Sequence, residues 1–137
     1  MIRNIYYLIA GILAIIFSIT HAWNGQTAVL PDLNSDLISV ETKTTFFYVW
    51  HIVTVENMIF GIAFLIMAFH KDLSKARVAA WIIVAIMIGR WLVIFASTLL
   101  YNAAEISNTF VDSVAILVYS VLIIVGTRVE KKQTQTA

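Results

Sequence analysis

The chain has no cysteine, which excludes disulfides, thiolate metal centres, thioether-attached haem and a cysteine nucleophile. Its single proline, Pro31, and five glycines form no glycine-rich phosphate loop, and no His-Glu-x-x-His zinc motif occurs. Charge is scarce: Asp, Glu, Lys and Arg make up 12% of the 137 residues, against about 25% in soluble domains. The 9 basic and 8 acidic residues leave a net charge of +1, so there is no basic strip for nucleic acid and no nucleic-acid partner is expected. What the chain has instead is apolar surface, with 61% hydrophobic residues and a mean hydropathy of +0.89.

The apolar residues fall in four runs, about 5–23, 45–69, 78–101 and 109–127. A helix needs about 20 residues at about 1.5 Å each to cross a hydrocarbon core of about 30 Å, and each run is of that length. None alternates with the period of a membrane barrel, and backbone groups in lipid must bond within their own segment. The expected fold is all-α, an integral membrane four-helix bundle, with residues 1–137 forming a single domain. Arg3 before the first run and Thr20-His21-Ala22 near its end loosely resemble a signal peptide, but the run is expected to be retained as the first helix.

Basic residues mark one side. Arg3, then Lys71, Lys75 and Arg77, then Arg128, Lys131 and Lys132 flank the runs at the two termini and the second connection. The opposite side holds Lys43 with Asp32, Asp36, Glu41 and Glu105. Cytoplasmic flanks carry the excess of Lys and Arg, so both termini are expected in the cytoplasm, in a bacterial-type inner membrane. The first connection, about 24–44, has Leu30, Leu33, Leu37 and Val40 at helical spacing. A short surface helix starting near Pro31 and a packed loop both fit this pattern.

Ionisable groups at membrane depth are expensive and normally face protein or a water-filled cavity. Glu56 and Arg90 each lie about 16 Å below the outer ends of their runs, so they can pair at equal depth, with Asn57 in the same layer. The pair either staples two helices or lines a ligand or proton site. Ser97 and Tyr101 continue the direction of Arg90 along the third run. His21, His51 and Asp112 form a shallower layer. They fit interfacial rings, a haem b ligated through His21 and His51, or a non-haem iron site completed by Asp112.

At about 100° per residue His51 and Glu56 stand about 140° apart around the second run, so they are not expected to share one narrow groove. Enclosing both sides of that helix requires another subunit, and a homo-oligomer, a dimer or trimer, is expected. Ala10 with Ala14 and Ala85 with Gly89 permit close helix approach. The aromatic run Phe46-Phe47-Tyr48 with Trp50 reads as an interface belt.

The stretch from His51 to Glu56 and Asn57, together with Gly89-Arg90, the chain length and the helix count, resembles the MAPEG family, the membrane-associated proteins in eicosanoid and glutathione metabolism. The resemblance implies a four-helix trimer using glutathione as a transferase or isomerase of lipophilic substrates. The residues themselves point to a small bilayer protein that binds or moves a small amphipathic ligand or a proton, with Glu56, Asn57, Arg90, Ser97, Tyr101 and His51 as site residues. A haem-binding redox subunit using His21 and His51 is the further alternative.

Overall fold

A computed structural model describes residues 1–129. Lys131 and Lys132, counted above among the basic flanks, lie outside the described residues. Four α-helices, α1 (Ile5–Asn24), α2 (Val40–Phe69), α3 (Leu73–Tyr101) and α4 (Phe110–Thr127), are each long and apolar enough to cross a membrane. No strand occurs among the described residues, and the fold is an all-α four-helix bundle.

Helices α2 and α3 begin at Val40 and Leu73, each five residues before the apolar run that announces it. Their caps explain the extension. Ser39 accepts from the Thr42 amide, and Asp72 accepts from the amides of Ser74 and Lys75, satisfying otherwise unpaired donors while polar first turns project beyond the apolar span. Asn4 does the same for α1, accepting from the amides of Tyr6 and Tyr7.

The first connection does not form the regular surface helix suggested by its leucine spacing. A π-helical turn, Gly25–Val29, runs into a single 3-10 turn, Leu30–Asn34, with Pro31 in its opening turn. Of the four spaced apolar residues only Leu30 is buried, and Leu37 is almost fully exposed. A second 3-10 turn, Ala103–Ser107, joins α3 to α4.

Round the bundle the order is α2–α1–α4–α3. Helix α1 packs along α2 and also against α4, and α4 packs against α3, whereas α2 and α3 touch little although they follow one another in sequence. Two glycines allow α1 and α2 to meet almost backbone to backbone. A Cβ at Gly11 would lie 2.9 Å from Leu65, and one at Gly61 would lie 2.6 Å from Ile15. Such proximity matters because helix association in lipid draws on van der Waals packing and interhelical hydrogen bonds. Ser18 Oγ adds one bond, donating to the Thr54 carbonyl at 2.8 Å. On the other flank of α1, the Tyr119 hydroxyl of α4 donates to the Ala10 carbonyl at 2.9 Å. Ala10 and Ala14 are buried in these contacts, while Ala85 and Gly89 face open space.

The buried core, including Tyr7, Phe60, Phe64, Ala80, Ile83 and Ile123, occupies the half of the bundle nearer the termini. That end is also stapled. The buried Asn4 side chain donates to the Gly126 carbonyl at 2.8 Å, and the Arg3 and Asn4 amides both donate to the Ala68 carbonyl. At the far end α1 and α2 remain packed. From Leu92 to Tyr101 of α3, however, every residue except Thr98 is exposed, and most of α4 before Tyr119 is exposed too. The bundle is closed at the terminal end and parted at the other.

Candidate functional site

Where α3 draws away from α2, one arginine bridges the gap. Arg90 Nη1 donates to Glu56 Oε2 at 3.0 Å and to Asn57 Oδ1 at 3.4 Å. The long arginine stem lets the guanidinium reach α2 without close backbone approach. Arg90 and Glu56 retain side-chain exposures of 28% and 34%, so the pair stands at an opening and is not sealed in the core. Glu56 Oε1 makes no hydrogen bond among the described residues, leaving that carboxylate with acceptor capacity. Ser97 and Tyr101, placed above Arg90 by helical spacing, are exposed and do not hydrogen-bond to the pair.

A broad, shallow and almost wholly apolar depression of about 450 Å³ lies along one face of α2, lined by residues of that helix alone, Phe47, Tyr48, His51, Ile52, Val55, Glu56 and Ile59. His51 and Glu56 both border this broad face, which spans about half the circumference of α2, the breadth that their separation of about 140° requires. Glu56 is the only lining residue whose side chain is a carboxylate or an ammonium-type cation, and the walls between are aliphatic.

The shallower layer is built by a local irregularity. The His21 ring stacks on Trp50 with centroids 4.3 Å apart and planes 5° from parallel, and the Trp50 indole N–H donates to the His21 carbonyl at 3.0 Å. Gly25 is required here, because a Cβ on it would overlap the Trp50 indole. The π-helical turn that begins at Gly25 carries Gln26 over α2, where its amide Nε2 donates to His51 Nε2 at 2.9 Å. Phe47 meets the other side of His51 edge-on, with centroids 4.6 Å apart. Trp50 thus turns inward and leaves the aromatic belt, while Phe47 and Tyr48 line the depression.

His21 Nε2 is buried without a partner among the described residues, and Arg90, His51 and Asp112 lie within electrostatic range of its ring. The iron set of His21, His51 and Asp112 is not assembled: among the described residues no group of three His, Asp or Glu side chains is placed to hold a metal ion. Asp112 is exposed in the first turn of α4. Of the two imidazoles that a haem would use, His51 Nε2 is engaged by Gln26, whereas Trp50 covers a face of the His21 ring and leaves its Nε2 without a partner among the described residues. Gln26 and the inward Trp50 are the members of this layer that sequence reasoning misses. Their one signal is Gly25, directly after the first apolar run.

Of the motif residues at issue, the structure brings Glu56, Asn57 and Arg90 together and leaves His51 paired elsewhere. The chain matches no family model, no curated protein and no solved structure.

Proposed function

We propose that this chain is an integral membrane protein whose Glu56–Arg90 pair forms the polar element of a site that binds or moves a small amphipathic ligand or a proton. The supporting observation is the pair's setting. Its charged atoms are 3.0 Å apart, about a third of each side chain is exposed, and Glu56 borders the apolar face of α2 between Phe47 and Ile59. A pair serving only to staple helices is better placed in the packed half, where α2 and α3 already meet the core. In this reading the basic residues at the terminal end keep both termini in the cytoplasm of a bacterial-type inner membrane. The parted half then faces outward, and the chain works as a dimer or trimer. Glu56, Asn57, Arg90 and His51 contact the ligand, with Ser97 and Tyr101 along its approach.

A glutathione-dependent transferase or isomerase, as the MAPEG resemblance implies, is the second reading. It is favoured by the meeting of Glu56, Asn57 and Arg90 at the positions of the resemblance. Native mass spectrometry from mild detergent tests both. A small amphiphile should leave with the wild-type protein and be lost in Arg90→Gln, while saturable glutathione binding would favour the second reading. A protein that carries neither, before or after incubation with lipid extract, would remove the ligand-site reading.

A further inference from the structure

The terminal end of the bundle carries cations that the fold does not use. We infer that the corner where α1 begins and α2 ends binds the headgroup of an anionic phospholipid, with Arg3 and Lys71 holding its phosphate and Ile62, Ile66 and Phe69 lying along its acyl chains. The site is separate from the Glu56–Arg90 pair and does not depend on it.

Backbone hydrogen bonds make the corner. The Arg3 amide donates to the Ala68 carbonyl at 2.8 Å, and the Asn4 amide donates to the same oxygen at 3.1 Å. The segment before α1 is thereby pinned to the last turn of α2, and Lys71 follows the end of that helix by two residues. Both side chains are exposed, and neither has a hydrogen-bonding or ionic partner among the described residues.

The work done by the other cations sets these two apart. A helix C-terminus presents unpaired carbonyls and the negative end of a dipole, which Lys and Arg commonly cap. Arg77 does so for the end of α4, donating from Nη2 to the Val129 carbonyl at 2.9 Å. Lys75 lies 3.9 Å from the Asp72 carboxylate. At the end of α2 the carbonyls are satisfied by backbone amides instead, Ala68 by Arg3 and Asn4, and Met67 by His70. The guanidinium of Arg3 and the ammonium of Lys71 are therefore left for an external anion.

Charge and apolar surface together select a lipid. Among the described residues the terminal end holds Arg3, Lys71, Lys75, Arg77 and Arg128 against one carboxylate, Asp72. Each cation near an anionic bilayer surface favours binding by roughly fivefold. Below the corner, Ile62, Ile66 and Phe69 recur on one exposed face of α2. A soluble phosphate would pair with the cations and leave that face uncovered, whereas a phospholipid places charge above and acyl chain below in the same order. A zwitterionic headgroup carries its own cation beside the phosphate and gains less. At the opposite end Asp32, Asp36, Glu41, Glu105 and Asp112 stand against Lys43, so the preference should be confined to the leaflet at the terminal end.

Native mass spectrometry of the full-length protein, released from nanodiscs of phosphatidylglycerol and phosphatidylcholine in equal amounts, tests the site. The wild type should retain phosphatidylglycerol preferentially. Arg3→Gln and Lys71→Gln should each weaken that retention by about fivefold, and the double variant by more than about tenfold. Lys75→Gln, whose ammonium is already paired, and Lys43→Gln, at the other end, should change it by less than about twofold. The exchange Arg3→Lys with Lys71→Arg keeps both charges and should bind as the wild type does, which separates loss of the site from loss of folding. Equal retention of the two lipids by the wild type overturns the inference. A loss in Lys75→Gln as large as in Lys71→Gln also overturns it, because the basic end would then attract lipid diffusely and not at the corner. Displacement of phosphatidylglycerol by inorganic phosphate at constant ionic strength would leave a phosphate site and remove the lipid.

Discussion

Arg90 holds two acceptors of α2 from a helix that scarcely touches α2 elsewhere, so its removal should act beyond its own contacts. Arg90→Leu leaves Glu56 with an uncompensated charge and should destabilise the protein by about 3 kcal/mol, the lower end for a broken buried pair because about a third of each side chain is exposed. Replacing Glu56 as well should recover part of that loss in reversible unfolding from mixed micelles; strict additivity would deny the coupling. Two glycines make a second contrast. Gly25→Ala must displace the Trp50 ring, costing about 1–3 kcal/mol and shifting indole emission to the red. Gly89→Ala meets no atom within 4 Å and should be neutral or stabilising by up to about 1 kcal/mol. The sequence announced Glu56 and Arg90 because charge inside an apolar run is conspicuous. It was silent on Gln26, whose position depends on a π-helical turn that no hydrophobic period encodes.

The helices show where hydropathy stops being a guide. It locates the four apolar runs, but it misses the first turns of α2 and α3, where Glu41, Lys43 and Lys75 are carried on a helix secured by Ser39 and Asp72. Ser39→Ala should cost about 1 kcal/mol and fray α2 toward Thr45, visible as faster amide exchange confined to those turns. Angular reasoning separates His51 from Glu56 on α2 but does not reach the partner of either, because that depends on which neighbouring element comes within reach, Gln26 from the π-helical turn for one and Arg90 from α3 for the other. Where α2 stands is set by packing elsewhere, chiefly the Gly11–Gly61 crossing with α1. Gly61→Leu should force this crossing apart and cost more than the same change at Gly89, since Ile15 occupies the space at one and nothing does at the other.

For the molecule as a whole, orientation can be tested directly because the chain has no cysteine of its own. Ser35→Cys and Asn108→Cys should react with an impermeant thiol reagent in intact cells, whereas Ser74→Cys should react only after lysis. The reverse pattern would turn the parted half toward the cytoplasm. The four-helix architecture was legible in composition and run length. The order α2–α1–α4–α3 was not, because it depends on which small residues meet across helices, and Ala85 with Gly89 look as suited to close packing as Ala10 with Ala14.

That order makes one part of the chain expendable. The two hairpins are joined covalently by the short turn His70–Asp72, but what binds them is the seam between α1 and α4, with Tyr119 on Ala10 and Asn4 on Gly126. The peptide link and the adhesive surface are therefore different things, and the link runs between the two neighbouring helices that adhere least. A gene divided at Lys71 should yield two polypeptides that find each other in the bilayer and co-purify as one complex. The same bisection inside α1 should yield none.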